Sequence, residues 1–484
     1  MTGRRYYLLI AFLLFILIVL LAGCGSQDND SKTPRALNPR YVILIGIDTL
    51  RADHLSCYGY PIETSPAIDA FAQGATLFEQ SISQSSWTLP SFASIFTGLY
   101  SFEHRAGISC WQGGTLEENK SNYTTLGVAY PTLAELLRSQ HYQTAAFTEG
   151  GYVSAAFGLE RGFDLFEVCS ATDEEANAIR PEHINNKDVK NIVDASLGWI
   201  KKNRRDNFFL FMHTYEPHTP LRDPLNVLPE IKKAYKQNNF FKVLRGYLKG
   251  LAGLKAVIEK TPLEDVYNWF CNERMLYDCE IRYTDYHMGR FFDGLKKMGI
   301  YDDSLIIFTS DHGAEFGEHG GIYHGRTLFQ ESIFVPMIIK KPHQKKGVRI
   351  KGLFAEGIDV LPTVLDICKV SVDTLKISGR SLFQKDNSTI ARSHLYSHEN
   401  KLAAGIQDTI KMIYNYEEPE NILLFQLDSD SAEKNNVDPQ SIEMNVSTII
   451  APVVMPEADR SLCFDAQDGT KEVRDQLRAL GYIQ

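Results

Sequence analysis

Three apolar runs in this sequence end abruptly in side chains of the kind that bind metal ions or phosphate-like anions. Tyr41-Val-Ile-Leu-Ile-Gly-Ile47 ends at Asp48. Asn207-Phe-Phe-Leu-Phe-Met212 ends at His213, with His218 just beyond. Ser304-Leu-Ile-Ile-Phe-Thr309 runs into Ser310-Asp311-His312-Gly313. A fourth segment, Gln84 to Gly98, has the form of a helix start: Ser and Thr residues, then Pro90, with Gly98 suited to the stop. A hydroxyl there, such as that of Thr88, faces unpaired backbone N–H groups and the positive end of the helix dipole. Both favour an alkoxide and a bound anion. Thr88 would serve equally as an ordinary helix cap. A lone Asp after a strand is usually a turn or cap residue; three remote strand ends of ligand type point to one shared site.

The elements that must position these groups follow from the same runs. Apolar stretches without polar alternation suit strands buried on both faces, as in parallel sheets covered by helices. Amphipathic stretches lie between them, at Pro131 to Gln140, Val189 to Lys202 and Glu273 to Met298. This alternation predicts an α/β fold, a mainly parallel sheet sandwiched by helices, over residues 40–385. A smaller C-terminal α+β portion is expected over 386–484, with a short antiparallel sheet and a helix. In open parallel sheets the site lies beyond the carboxyl ends of the strands, where Asp48, His213, His218, Asp311 and His312 all fall.

Thr88-Leu-Pro-Ser-Phe-Ala-Ser-Ile-Phe-Thr-Gly98 is similar to the sulfatase signature, in which Cys or Ser, then x-Pro-Ser-Arg, precedes a helix ending in Thr-Gly. Ile47-Asp48-Thr-Leu-Arg51-Ala-Asp53-His-Leu-Ser-Cys-Tyr58-Gly59 resembles the first metal motif of that family, and Thr309-Ser-Asp311-His312-Gly313 the second. Arg161 to Asp164, His213 to His218, Val335-Pro336, Gly357 to Thr363, Gly379 to Leu382, Leu424 to Glu433 and Leu477 to Tyr482 follow in the family's order. The resemblance runs from about Arg40 to the end. It implies the alkaline-phosphatase superfamily and a metal-dependent hydrolase or transferase acting on a sulfate or phosphate ester.

The departures from the family pattern bear on chemistry. Sulfatases convert the signature Cys or Ser to formylglycine, an aldehyde that Thr88 cannot give because its β-carbon carries a methyl. Phe92 replaces the signature Arg, Thr148-Glu-Gly-Gly-Tyr152 only loosely matches the Lys and His stretch, and Thr49 stands for the second Asp of the usual pair. The expected metal ligands are Asp48, Thr88, Asp311 and His312. Calcium prefers six to eight oxygens, so imidazole with few carboxylates favours zinc or manganese, with calcium possible. This set resembles the Thr-nucleophile branch of phosphoethanolamine and glycerophosphate transferases. Thr88 is therefore expected to attack sulfur or phosphorus in line, and water or an acceptor alcohol to resolve the covalent intermediate. His218 and His213 are expected to bind non-bridging oxygens or protonate the leaving group. His324 falls near a substrate-binding Lys of the family and ranks above His319, although both follow the second motif closely enough to reach the pocket. Tyr323 and Arg326 are read as structural.

The remaining features bound the setting. The chain has 484 residues and a formal charge of -10, which argues against nucleic acid as a partner, since that binding rests on phosphate neutralisation by Lys and Arg. Arg4-Arg5, an apolar run to Leu21, and Leu21-Ala-Gly-Cys24 read as a signal peptide over 1–23 with lipidation of Cys24, as in a bacterial lipobox. A single transmembrane anchor is the other reading. Residues 24–39 then form a polar tether. The expected location is the cell envelope outside the cytoplasm, on the outer membrane if the host has one. Seven further cysteines show no CxxC spacing, and Cys271 with Cys279 is a candidate disulfide. Residues 221–271, rich in Lys and aromatics, read as a lid or as a solvated helix face. A rival to catalysis is a sulfatase-like lipoprotein that binds glycans or envelope partners.

Overall fold

The computed structural model describes residues 39–109, 123–169, 187–242, 263–371, 374–384, 390–397, 400–438 and 463–464. The signal, Cys24 and the tether as far as Asn38 fall outside these.

The three apolar runs form β1 (Tyr41–Ile47), β5 (Phe208–Thr214) and β6 (Ser304–Ser310), and all three are buried along their whole length. Their neighbours are β2 (Thr76–Ile82), β3 (Gln143–Thr148), β4 (Leu165–Val168), β7 (Met337–Lys340) and β8 (Val348–Glu356). Together they make an eight-stranded sheet in the order β8-β2-β7-β6-β1-β5-β3-β4. All strands run parallel except β7, which is antiparallel to both its neighbours.

Alternation along β1 splits the core into two layers, as a pleated strand requires. Val42 and Leu44 face a layer that includes α2 (Thr88–Thr97), α3 (Leu133–Ser139) and α7 (Val360–Ile367). Tyr41, Ile43, Ile45 and Ile47 face α1 (Pro66–Ala72), α4 (Val189–Asn203) and α6 (Leu263–Lys297). The expected sandwich is thus present, with β1 at its centre. A four-stranded antiparallel sheet, β9 (Ala391–Tyr396), β10 (Lys401–Gln407), β11 (Ile410–Asn415) and β12 (Leu423–Gln426), forms the smaller C-terminal portion.

Register brings the strand ends together. Ile47 lies opposite Thr214 on one side and Ser310 on the other, so Asp48, Tyr215 and Asp311 leave the sheet side by side. Within the segment read as a lid, α5 (Leu228–Gln237) buries Ile231 and Tyr235 in a small cluster with Tyr60, Val266, Phe270 and Met275. The helix expected from Glu273 begins ten residues earlier, at Leu263. Cys271 and Cys279 both lie on it. Eight residues of helix separate them by about 12 Å, beyond the roughly 7 Å that a disulfide can span, so that pairing is excluded.

Candidate active site

Thr88 is the first helical residue of α2, and Trp87, not Thr88, occupies the cap position. Its hydroxyl makes no capping bond. It donates instead to Asp48 Oδ2 at 3.1 Å and lies 3.3 Å from His312 Nε2. The cap reading of Thr88 is therefore set aside. Gly98 ends the helix in the left-handed conformation, as its type suggests.

Asp48 and Asp311 are fully buried. Asp311 Oδ1 accepts from the backbone N–H of Thr49 and of His312 at 3.2 and 2.9 Å, which fixes the carboxylate plane. His312 Nδ1 faces the Gly313 carbonyl at 2.8 Å and so carries the proton, leaving the Nε2 lone pair 3.3 Å from Asp311 Oδ2. Ligand atoms of Asp48, Asp311 and His312 all lie within 4.8 Å of one another. Asp48 Oδ1 and Asp311 Oδ2 are buried without a hydrogen-bond partner. Burial pushes Asp48 up to about 7, and burial together with the Asp48 charge pushes Asp311 well above the carboxylate range. Burial holds His312 down to about 3. Two orphaned carboxylate oxygens facing a neutral imidazole are a donor set completed by a cation, so these residues fit a divalent metal.

The other histidines sort themselves around this group. His213 Nε2 lies 3.8 Å from Asp48 Oδ2, its two nitrogens have no hydrogen-bond partner, and burial pushes it down to about 3. It sits beside the carboxylates, with its ring edge-on to Phe92 at 5.0 Å and to Tyr215 at 4.7 Å. His218 and His324 meet at 2.9 Å through their Nε2 atoms, and the His324 ring lies 4.5 Å from that of His312. His218 Nδ1 donates to the Thr219 carbonyl at 2.6 Å. In the neutral pair His324 Nε2–H then donates to His218 Nε2, placing one proton between the rings. Seven candidates, Asp48, Thr88, His213, His218, Asp311, His312 and His324, are thus brought to one place. His319 is not among them. Its nitrogens bond Glu331 Oε1 and the Glu433 carbonyl, and its ring stacks on Phe329.

Phe92, at the position of the signature Arg, is fully buried and lies over Gly46 of β1. A Cβ at Gly46 would come within 2.7 Å of the Phe92 ring. Thr49 adopts φ 54°, a left-handed backbone uncommon for a β-branched residue. Its carbonyl is held by Tyr277 of α6, whose hydroxyl donates to it at 2.7 Å and accepts from the Arg51 N–H at 2.9 Å.

Sequence reasoning passed over Glu149 as a site residue. It follows β3, is buried, and accepts from the Asp188 N–H, the Thr214 hydroxyl and the Tyr215 N–H at 2.7, 3.0 and 2.6 Å. The strand-end rule that singled out Asp48 applies to it equally. Burial pushes its carboxyl up to about 7.

Comparison with known proteins matches residues 40–370 to the sulfatase family, and residues 317–452 to the N-sulphoglucosamine sulphohydrolase C-terminal family. An N-acetylglucosamine-6-O-sulfatase of Bacteroides thetaiotaomicron is 23% identical, over 86% of this chain and 85% of that protein. Among solved structures, the phosphonate monoester hydrolase of Agrobacterium radiobacter superposes with a TM-score of 0.63 at 19% identity, covering 83% of this chain and 91% of that one. A protein solved with its substrate D-glucosamine-2-N,6-O-disulfate superposes with a TM-score of 0.62 at 19% identity, covering 92% and 98%.

Proposed function

The chain is an enzyme of the sulfatase family, and from that premise we propose that it cleaves a sulfate ester with Thr88 as nucleophile and Asp48, Asp311 and His312 as the seat of one divalent metal. The observation that carries this reading is the Thr88 hydroxyl, turned out of its capping role and held between Asp48 and His312. A bound divalent cation, zinc or manganese by its donors, supplies Lewis acidity to the nucleophile and the ester oxygens.

This chain's own residues do the rest. Thr88 Oγ1 attacks sulfur, its O–S bond forms as the ester O–S bond breaks, and its proton leaves toward Asp48 Oδ2, the acceptor it already faces. The bound anionic ester draws one further proton onto the neutral His218–His324 pair, and the departing alkoxide takes that proton and leaves as an alcohol, returning the pair to neutrality. Water then attacks the sulfur of the Thr88 sulfate ester; the proton held on Asp48 returns to Thr88 Oγ1 as its O–S bond breaks, sulfate is released, and of the two water protons one recharges the histidine pair and one goes to solvent. His213, 3.8 Å from Asp48, binds a non-bridging oxygen through an Nε2–H. The substrate class by kinship is a sulfated sugar, since the relative from Bacteroides thetaiotaomicron is named for one.

A phosphate ester is the second reading, with an acceptor alcohol in place of water. It is favoured by Thr88 itself, whose methyl forbids the formylglycine on which sulfatases rely. Turnover of aryl sulfate, phosphate monoester and phosphate diester on one metal-loaded preparation separates the two. In either case Thr88→Ala should lower kcat on the order of 10³-fold or more while the metal stays bound. Wild-type turnover in that variant would remove Thr88 from the mechanism, and a wild type that binds glycans without turning over any of the three esters would replace the enzyme with a binding scaffold.

We further infer, from Leu21-Ala-Gly-Cys24, that the chain is held by lipid on Cys24 in a bacterial cell envelope. Metabolic labelling with a fatty acid should mark the wild type but not Cys24→Ala; equal labelling of both would refute the anchor.

A further inference from the structure

Behind the histidine pair lies a cluster of four charges that none of the steps above uses. Lys187, whose side chain is 1% exposed, pairs with Glu280 of α6 at 3.0 Å. Arg222 pairs with the same Glu280 at 3.1 Å and also with Glu216, and both carboxylates are fully buried. Two cations face two carboxyl groups, and burial, with the Glu280 charge beside it, pushes the Glu216 carboxyl well above its usual range. Burying four charges costs more than packing apolar side chains of the same volume, and lysine is among the residues least often buried. What distinguishes this cluster is where its ammonium points. Lys187 Nζ donates to the backbone carbonyl of His218.

That contact completes a cradle around the turn that leads from β5 to His218. Glu149 holds its first half through the Thr214 hydroxyl and the Tyr215 N–H. Its second half ends at His218, whose Nδ1 is fixed by Thr219 and whose Nε2 meets His324. The two halves are tied to each other, because the Asp188 N–H, one residue from Lys187, donates to Glu149 at 2.7 Å.

We propose that Lys187 is a positioning residue: braced by Glu280, its ammonium holds the His218 carbonyl and so sets the His218 ring at the distance from His324 at which one proton is shared. This rests on the assignment of His218 and His324 as the proton-bearing pair. A displacement of about 1 Å in such a group costs on the order of 10²-fold in rate.

The test is a double-mutant cycle between Lys187→Met and His218→Ala on the metal-loaded protein, read in kcat and in the affinity for orthovanadate. Lys187→Met leaves Glu280 paired with Arg222. It should lower kcat 10- to 100-fold and weaken vanadate at least 5-fold, with metal content unchanged. In the His218→Ala background the same substitution should change either quantity by no more than twofold. Effects that multiply in the double variant, or a Lys187→Met enzyme with wild-type kcat, would overturn the proposal. Lys187→Arg keeps the ion cluster but displaces the donor, and it carries the same cycle with the same criteria if Lys187→Met does not fold. Vanadate affinity reads the site without turnover, so a wild type inactive on every ester tested would sink the functional reading and still leave the cycle to decide on Lys187.

Discussion

The carboxyl groups of Asp48 and Asp311 lie close enough to oppose each other's ionisation, and that fixes how the metal-free protein meets a cation. Burial is the larger cause of the rise in both, and the neighbouring Asp48 charge adds to it at Asp311. With Asp48 at about 7, that carboxyl is mostly protonated at pH 6. A divalent cation must displace its proton, so the apparent affinity should rise as pH climbs from 5 through 7. Calorimetry in two buffers of different ionisation enthalpy should show at least one proton released per metal at pH 6, and fewer at pH 8. Identical apparent enthalpies in the two buffers at pH 6 would count against the site. Thr49 shows a second residue-scale effect. It stands where the family pattern has an acid, its backbone is left-handed, and its hydroxyl is buried without a partner. Its contribution is therefore the N–H that orients Asp311, a main-chain role that residue type alone does not announce.

At the scale of elements, the strands were legible because each is a continuous apolar run with a polar stop, and the register of β1 against β5 and β6 turns those stops into neighbours. Helix α2 was legible through Pro90 and Gly98. Helix α6 was read short, although Pro262 stands immediately before it and proline suits a first helical turn. What its sequence hid is that Arg274, Tyr277, Asp278 and Glu280 reach different loops of the site. Arg274 pairs with Glu318, Tyr277 holds Thr49, Asp278 takes His54, and Glu280 takes Lys187. Helical spacing shows which positions share a face and is silent on which distant loop each one meets. The reversed β7 was hidden too, since a four-residue buried strand carries no signal of direction. The contact between β1 and α2 gives a direct test. Gly46→Ala would drive a methyl into Phe92, at a cost of about 1–3 kcal/mol typical of overpacking. Chemical denaturation should show that loss, and Gly46→Ala with Phe92→Leu should recover most of it. An additive double variant would mean that the two positions do not press on each other.

Across the whole molecule, the C-terminal sheet is joined to the catalytic layer by a polar seam. His394 N–H donates to the Gln84 carbonyl four residues before Thr88, and Arg392 N–H to Glu356 at the end of β8. Lys411 of β11 and Glu433 form a fully buried ion pair at 2.6 Å, and Glu433 also accepts from the Gln330 N–H. Burial draws each toward its neutral form, so each charge depends on the other. Lys411→Met should therefore cost about 3–5 kcal/mol by leaving Glu433 uncompensated, while Lys411→Met with Glu433→Gln should be markedly milder. Equal losses in the two proteins would refute that dependence. The central place of β1 also sets a timetable for synthesis. Thr49 and its partner Asp311 are 262 residues apart in the chain. At about 5–20 residues per second, roughly a quarter of a minute to a minute passes between the making of one and of the other. For most of that interval the growing chain carries Thr88 while Asp311 and His312, two of the three residues of the metal seat, are still unmade, so the protein is chemically silent until most of it exists.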